Sequence, residues 1–374
     1  MLRHLIKTAA ARAISLAGAD ARLGARETPP VIAYHRVVKD FESSSRGSLP
    51  AMLISERMLS RHLDWLAARF ELMPLDDLAA SAQGAPAGRK PPAAVTFDDG
   101  YADFFDYAYP LLRRKGIPAT IFVVTDLVGT KRLQSHDRLF LALERSMKAP
   151  RFRPQDLERL LLRLGLQVEE AAALRSRLRR AVDATPALLE RMPHSGIERL
   201  IEELGSAGRM DRKALAPYEP LDWSMIIEMS RSGVTIGSHT ASHALLSNED
   251  FTTARREALD SRVALERKIE TKVRHFAYPA GRFDPVAVAA VADAGYAFAY
   301  TTCRHRDPAH PHLTIPRTVF WERTSLDLFD RFSPAMMSCQ VHGVFDRRRA
   351  CTHERRDRRR ADLPTVSHRL GAES

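Results

Sequence analysis

From residue 30 onward, short runs rich in β-branched and aromatic residues recur between longer stretches whose apolar positions fall three or four apart. The runs are VIAYH (31–35), AAVTF (93–97), ATIFVV (119–124), VTIGS (234–238), HFAYP (275–279) and FAYTT (298–302). Their length and composition predict buried strands. Between the first two, Leu59, Leu63, Leu66 and Phe70 mark one face of a helix over 56–70, with Ser55 as its cap. Asp284, Pro285 and Gly295 bracket another helix as cap, first helical residue and terminator. Alternating strands and helices imply a parallel sheet, open or closed.

Three segments depart from this alternation. Residues 140–215 are rich in Arg and Leu at helical spacing, as in Leu157, Leu160, Leu161 and Leu164, and read as a helical insertion between two halves, 30–139 and 216–335. Residues 336–374 read as a basic tail expected to be disordered, since 346–360 (DRRRACTHERRDRRR) are charged with little apolar content. In residues 1–29, Leu2, Leu5, Ile6, Ala9 and Ala13 share one face of a basic amphipathic helix. That helix either packs on the domain or makes weak peripheral contact with an anionic membrane surface, the first being preferred. Lys7 and Arg12 interrupt every apolar run long enough for a cleavable secretory signal, so a cytoplasmic or membrane-peripheral location is expected.

Composition narrows the class. Of 374 residues, 45% are hydrophobic and 28% charged, ordinary values for a globular protein. No apolar stretch approaches the roughly 18–20 residues of a membrane-spanning helix. The net charge of +11 suggests nucleic acid until it is located: residues 1–27 carry +3, 145–213 carry +5 and 343–374 carry +4, leaving −1 elsewhere. A core of near-neutral charge needs no polyanionic partner, and no nucleic acid is expected. Cys303, Cys339 and Cys351 are too few, and too irregularly spaced, for a disulfide scaffold or a zinc ribbon.

Three motifs follow expected strands, where parallel α/β folds place their chemistry. The first is Thr96-Phe97-Asp98-Asp99-Gly100-Tyr101. Two adjacent carboxylates repel unless a cation or a proton separates their roles, although an Asp-Gly turn alone explains the pattern. The second contains His239 and His243, which share a face if the segment is helical and could then ligate one divalent ion. With 14 His in the chain, about 0.5 pairs at this spacing arise by chance. The third is Phe276-Ala277-Tyr278-Pro279-Ala280-Gly281, where the turn leaves the Ala280 N–H free to face an oxyanion, unless it is an ordinary strand-to-helix loop. Taken together, Asp99, His239 and His243 supply one oxygen and two nitrogen ligands, with Asp98 beside them as a general base. That set suits metal-assisted acyl hydrolysis.

TFDDGY, SHTxxH and FAYPxG, in this order, resemble the polysaccharide deacetylase family (NodB-homology domain, carbohydrate esterase family four). The likeness covers about residues 30–135 and 220–320 and extends to AYHRV (33–37) and GIPATIFV (116–123). It implies a distorted (β/α)₇ barrel, here with a helical insertion, that removes acetyl groups, N-acetyl foremost, from a glycan. It also implies Asp98 as catalytic base and a divalent metal on Asp99, His239 and His243. Zinc is the first expectation, with cobalt or manganese as alternatives.

Two departures from the family pattern stand out. The Arg that orients the base in many members is replaced by Ala277, and Arg317 in LTIPR (313–317) is the candidate substitute, or else a structural Arg on a loop. The late general-acid His has no clean match: CQVH (339–342) is a poor imitation, whereas His35 ends the first strand within reach of the site. His136 and Asp137, at the insertion's entry, could line a substrate rim, but a helix-starting polar pair is the preferred reading. The competing functions are a non-catalytic glycan-binding relative and a cyclic amide or imide hydrolase of the same fold.

Overall fold

A computed structural model describes residues 2–23, 28–80, 89–150, 152–205 and 215–346. Its strands are β1 (Val31–Tyr34), β2 (Arg36–Val38), β3 (Leu53–Ser55), β4 (Glu71–Leu72), β5 (Pro92–Phe97), β6 (Thr120–Val123), β7 (Thr235–Ser238), β8 (His275–Ala277), β9 (Phe298–Thr301), β10 (Ile315–Pro316) and β11 (Thr318–Val319). The six strands expected from the apolar runs are β1, β5, β6, β7, β8 and β9. They are legible because helices and core cover both faces of a parallel sheet, which leaves no polar side to alternate with.

The main sheet runs β10-β9-β8-β7-β6-β5-β1-β11, every pair parallel. Its two ends meet. β10 and β11 are consecutive in the chain and separated only by Arg317, so the segment 315–319 pairs with β9 through its first half and with β1 through its second. At the switch the Arg317 N–H donates to the Thr301 carbonyl (2.7 Å), and the Phe320 N–H then donates to Ala33 (2.8 Å). With that segment counted once, seven strands close a distorted (β/α)₇ barrel. β4 adds to β5, and β2 pairs with β3 as a separate ribbon.

The helices follow their local signals. Glu56–Arg69 starts where the Ser55 side chain accepts the Met58 N–H, and Pro285–Asp293 where Asp284 accepts from Ala287. Their apolar faces join Ile32, Phe97, Ile121 and Phe276 in the principal core. The insertion has a core of its own, including Leu139, Leu143, Leu161, Leu174, Leu188 and Leu200. Its first helix, Ser135–Lys148, begins before the expected boundary at 140 and so brings His136 and Asp137 with it. The helix Pro334–Val341 crosses residue 336, where the charged tail was expected to begin. It is ordered because Met336 and Cys339 pack against Ala11 of the N-terminal helix Leu2–Leu16. Residues 347–374 lie outside the described residues.

Candidate active site and metal centre

The C-terminal ends of β1, β5, β7, β8 and the closing segment deliver His35, Asp98 and Asp99, His239, the third motif and Arg317 to one end of the barrel. Close approach there is built into the sequence: a Cβ on Gly237 would fall 2.5 Å from the Phe122 ring, so the step before His239 requires glycine.

Asp99, His239 and His243 are buried, and one ligating atom from each lies within 4.8 Å of the others. The Oδ1 of Asp99 is 3.3 Å from His239 Nε2 and 3.2 Å from His243 Nε2. Neither approach has hydrogen-bond geometry, and both Asp99 oxygens are buried without a hydrogen-bond partner. Burial would raise the Asp99 carboxyl, but the imidazoles of His239, His243 and His136 hold it well below the usual carboxylate range. The Nδ1 of His239 lies 2.7 Å from the Ala277 carbonyl. A carbonyl only accepts, so Nδ1 carries the proton and Nε2 presents its lone pair toward Asp99. Unpartnered carboxylate oxygens facing two imidazole nitrogens form a donor set that fits a divalent cation of the zinc, cobalt or manganese type.

The second motif reaches this point without a helix. Residues 239–245 form a loop in which Thr240 (φ 68°) and His243 (φ 67°) are left-handed, and the Thr240 hydroxyl accepts the His243 N–H at 2.8 Å. The helical face expected for the two histidines is therefore replaced by two backbone reversals. Of six non-glycine residues with positive φ among the described residues, Asp99, Thr240, His243 and Ala280 lie in the three motifs. Strain of this kind persists only where surrounding contacts enforce it.

Asp98 has a partner of its own beside the Asp99, His239 and His243 cluster. Arg317 grips it with two parallel bonds, Nη1 to Oδ1 and Nη2 to Oδ2, each 2.7 Å, and Nη1 also reaches Thr96 Oγ1 at 3.2 Å. Burial pushes the Asp98 carboxyl up, but the guanidinium outweighs it and keeps the group below its ordinary range. His35 is half-buried, with Nδ1 enclosed and unpartnered, and is close enough for its charge to act on both Asp98 and His136. His342 is placed elsewhere: it stands beside Phe70 on a helix outside the barrel, with ring centroids 6.0 Å apart.

Residues 134–137 belong to the site, against the expectation of a merely helix-starting pair. Gln134 Nε2 donates to the Asp99 carbonyl at 2.8 Å. His136 Nε2 lies 3.9 Å from Asp99 Oδ2 and 2.7 Å from the Tyr101 hydroxyl, and its ring is 4.9 Å from that of His243. Tyr101 donates to Asp137 at 2.6 Å, so it must accept from His136. Burial drives His136 down to about 3 and Asp137 up to about 7. Behind them the buried Arg36 pairs with Asp103 (2.9 Å) and lies between the rings of Tyr101 and Tyr218. Their spacing carries no signal, because the contact arises only when the insertion folds over the first motif.

Comparison with known proteins agrees with this architecture. The sequence pattern described as polysaccharide deacetylase matches residues 85–299. The chain is 29% identical over 112 residues to the putative polysaccharide deacetylase YxkH of Bacillus subtilis (strain 168), a match covering 29% of this chain and 37% of that protein's length. Among solved structures, the Streptococcus pyogenes deacetylase PplD in complex with acetate superposes with a TM-score of 0.51 at 17% identity. That match covers 84% of this chain and 97% of the other. A polysaccharide deacetylase from Bacillus cereus gives 0.50 at 17% identity, over 84% and 68% of the two chains. These structures share the fold of the barrel.

Proposed function

The chain belongs to the polysaccharide deacetylase family, and from that premise we propose that it is a metal-dependent hydrolase removing N-acetyl groups from a glycan. The observation that carries this reading is the pairing of an Arg-held carboxylate, Asp98, with a neighbouring Asp-His-His donor set. Asp99, His239 and His243 would hold the cation. A divalent metal there supplies Lewis-acid polarisation of the acetyl carbonyl and acidifies water.

The protein's own groups account for the proton movements. Asp98, kept ionised by Arg317, takes a proton from water as its oxygen bonds to the carbonyl carbon. The two guanidinium bonds fix the orientation of the carboxylate, at some expense in basicity. Negative charge gathers on the carbonyl oxygen, where the Ala280 N–H is the proposed donor; the left-handed turn at Ala280 (φ 53°) re-aims that backbone unit. The C–N bond then breaks, the nitrogen takes a proton from His35, and acetate and a free amine remain.

The test measures acetate and free amine released from an N-acetylated oligosaccharide by the purified chain, before and after chelation and with divalent metal restored. Loss and recovery of both products with the metal supports the reading. Equal release by metal-free protein, or no release from any acetylated glycan, overturns it.

A further inference from the structure

The entry of the insertion addresses both ends of Asp99. Gln134 holds its backbone carbonyl. Two residues later, His136 Nε2 lies 3.9 Å from Oδ2, the carboxylate oxygen left over when Oδ1 faces His239 and His243. Neither oxygen has a hydrogen-bond partner, and both are buried. A cation shared with the two imidazoles draws on Oδ1, and Oδ2 is then stranded in a dry interior unless a donor faces it. At 3.9 Å the His136 contact is electrostatic rather than a hydrogen bond, so its sign depends on whether Nε2 carries a proton or a lone pair.

The residues behind His136 decide that sign. Tyr101 has a single proton and gives it to Asp137 Oδ2 at 2.6 Å. Asp137 stands in the first turn of the helix Ser135–Lys148, where the helix dipole favours a carboxylate. The Tyr101 hydroxyl, 2.7 Å from His136 Nε2, is therefore an acceptor, and Nε2 carries the proton. The opposite tautomer would set a nitrogen lone pair against both the Tyr101 hydroxyl and Asp99 Oδ2. Asp99, Tyr101, His136 and Asp137 are each at most 3% exposed, so water does not stand in for any of them. We propose that His136 is a positioning residue for the candidate metal ligand Asp99, its donor edge turned to the carboxylate by Tyr101 and Asp137. This role rests on the metal-ligand set proposed above and acts through Asp99 alone.

The experiment is calorimetric titration of the full chain with zinc, and titration with cobalt while the visible absorption bands of the ion are recorded. His136→Leu should weaken zinc binding about 10–100-fold, the scale of a group that supports a ligand, and shift the cobalt bands as Asp99 reorients. Tyr101→Phe removes only the hydroxyl that fixes the tautomer and should weaken binding at least about threefold. His136→Gln, whose amide presents an N–H to Asp99, should stay within about threefold of the unaltered chain. A merely structural role would lower the melting temperature and leave the cobalt bands in place. Unchanged affinity and bands in His136→Leu overturn the proposal, as they do in Tyr101→Phe should the leucine variant fail to fold. Equal weakening by His136→Gln and His136→Leu overturns it too, and so does a lack of zinc binding by the unaltered chain. Acetate release by the unaltered chain judges the reaction separately, because affinity is read without substrate.

Discussion

Arg317 and Asp98 are 219 positions apart in sequence and face each other through two parallel hydrogen bonds of 2.7 Å, both side chains buried. The pair sits where the sheet closes, because Arg317 is the residue at which the closing segment changes partners from β9 to β1. Barrel closure and orientation of the candidate base thus depend on one residue. Arg317→Lys keeps the charge but not the fork, so kcat/KM should fall about 10²-fold, the cost of misplacing a reacting group by roughly an ångström. Metal content and circular dichroism should be unchanged. Arg317→Ala strands a buried carboxylate and should lower unfolding free energy by about 3–5 kcal/mol in urea titration.

Separating base from ligand needs the adjacent acids. Asp98→Asn should retain stoichiometric metal and the native dichroism spectrum yet lose activity by several orders of magnitude, since an amide cannot take the proton. Asp99→Asn should lose metal affinity as well. Metal analysis of both variants after dialysis checks the distinction, and equal retention would mean that the roles are misassigned.

Gln134 extends the metal prediction into the insertion. Its amide holds the carbonyl of Asp99, whose φ of 75° is costly for a residue with a Cβ. Gln134→Leu should relax that backbone and weaken divalent metal binding about 10–100-fold, the usual scale for a residue supporting a ligand. Calorimetric titration with zinc is the readout. Unchanged affinity would show that the strand end alone fixes Asp99.

What the sequence disclosed follows from which interactions are local. β1, β5, β6, β7, β8 and β9 announce themselves as apolar runs, and the three motifs follow β5, β7 and β8, so parallel strand order alone carries them to one end. The segment Ile315–Val319 does not read as a strand, because Pro316 and a buried Arg interrupt it. The need for a cation near Asp98 could be stated from Ala277, but the bidentate geometry is a contact of the closed barrel. The contacts of His136 and Asp137, which do start a helix, are not legible for the same reason: their partner Tyr101 lies 35 and 36 positions away, across the start of the insertion. The apolar face of the N-terminal helix, where Leu5 and Ile6 are exposed, defeats periodicity too, since spacing defines a face and not the direction in which it points.

His62 supplies a pH dependence of stability. It is fully buried between the Tyr34 hydroxyl (3.1 Å) and Ser325 (2.6 Å), and burial depresses it to about 3. The unfolded chain binds that proton near pH 6.5 and the folded one does not, so its contribution is intact above about pH 6.5 and is lost as pH falls toward about 3. Through that window the slope from this residue is at most about 1.4 kcal/mol per pH unit. His62→Gln should be less stable at pH 7, and its unfolding free energy should fall less steeply below pH 6.5. Parallel curves for the two proteins would reject the assignment.

His35 bears the most exposed prediction. Amide hydrolysis expels an amine that must be protonated, whereas an activated acetyl ester expels a group that leaves unaided. If His35 supplies the proton, His35→Gln should slow N-acetyl hydrolysis by about 10²–10⁴, the range of general acid–base catalysis. Hydrolysis of an activated ester should fall far less, because Asp98, the metal ligands and the Ala280 N–H all remain. The motivation is placement: His35 follows β1, next to β5 in the sheet, and its charge acts on both Asp98 and His136. His136 is the competing donor, held by Tyr101 at 2.7 Å and lying 3.9 Å from Asp99. Equal losses on amide and ester in His35→Gln, together with an amide-selective loss in His136→Gln, would transfer the role to the insertion.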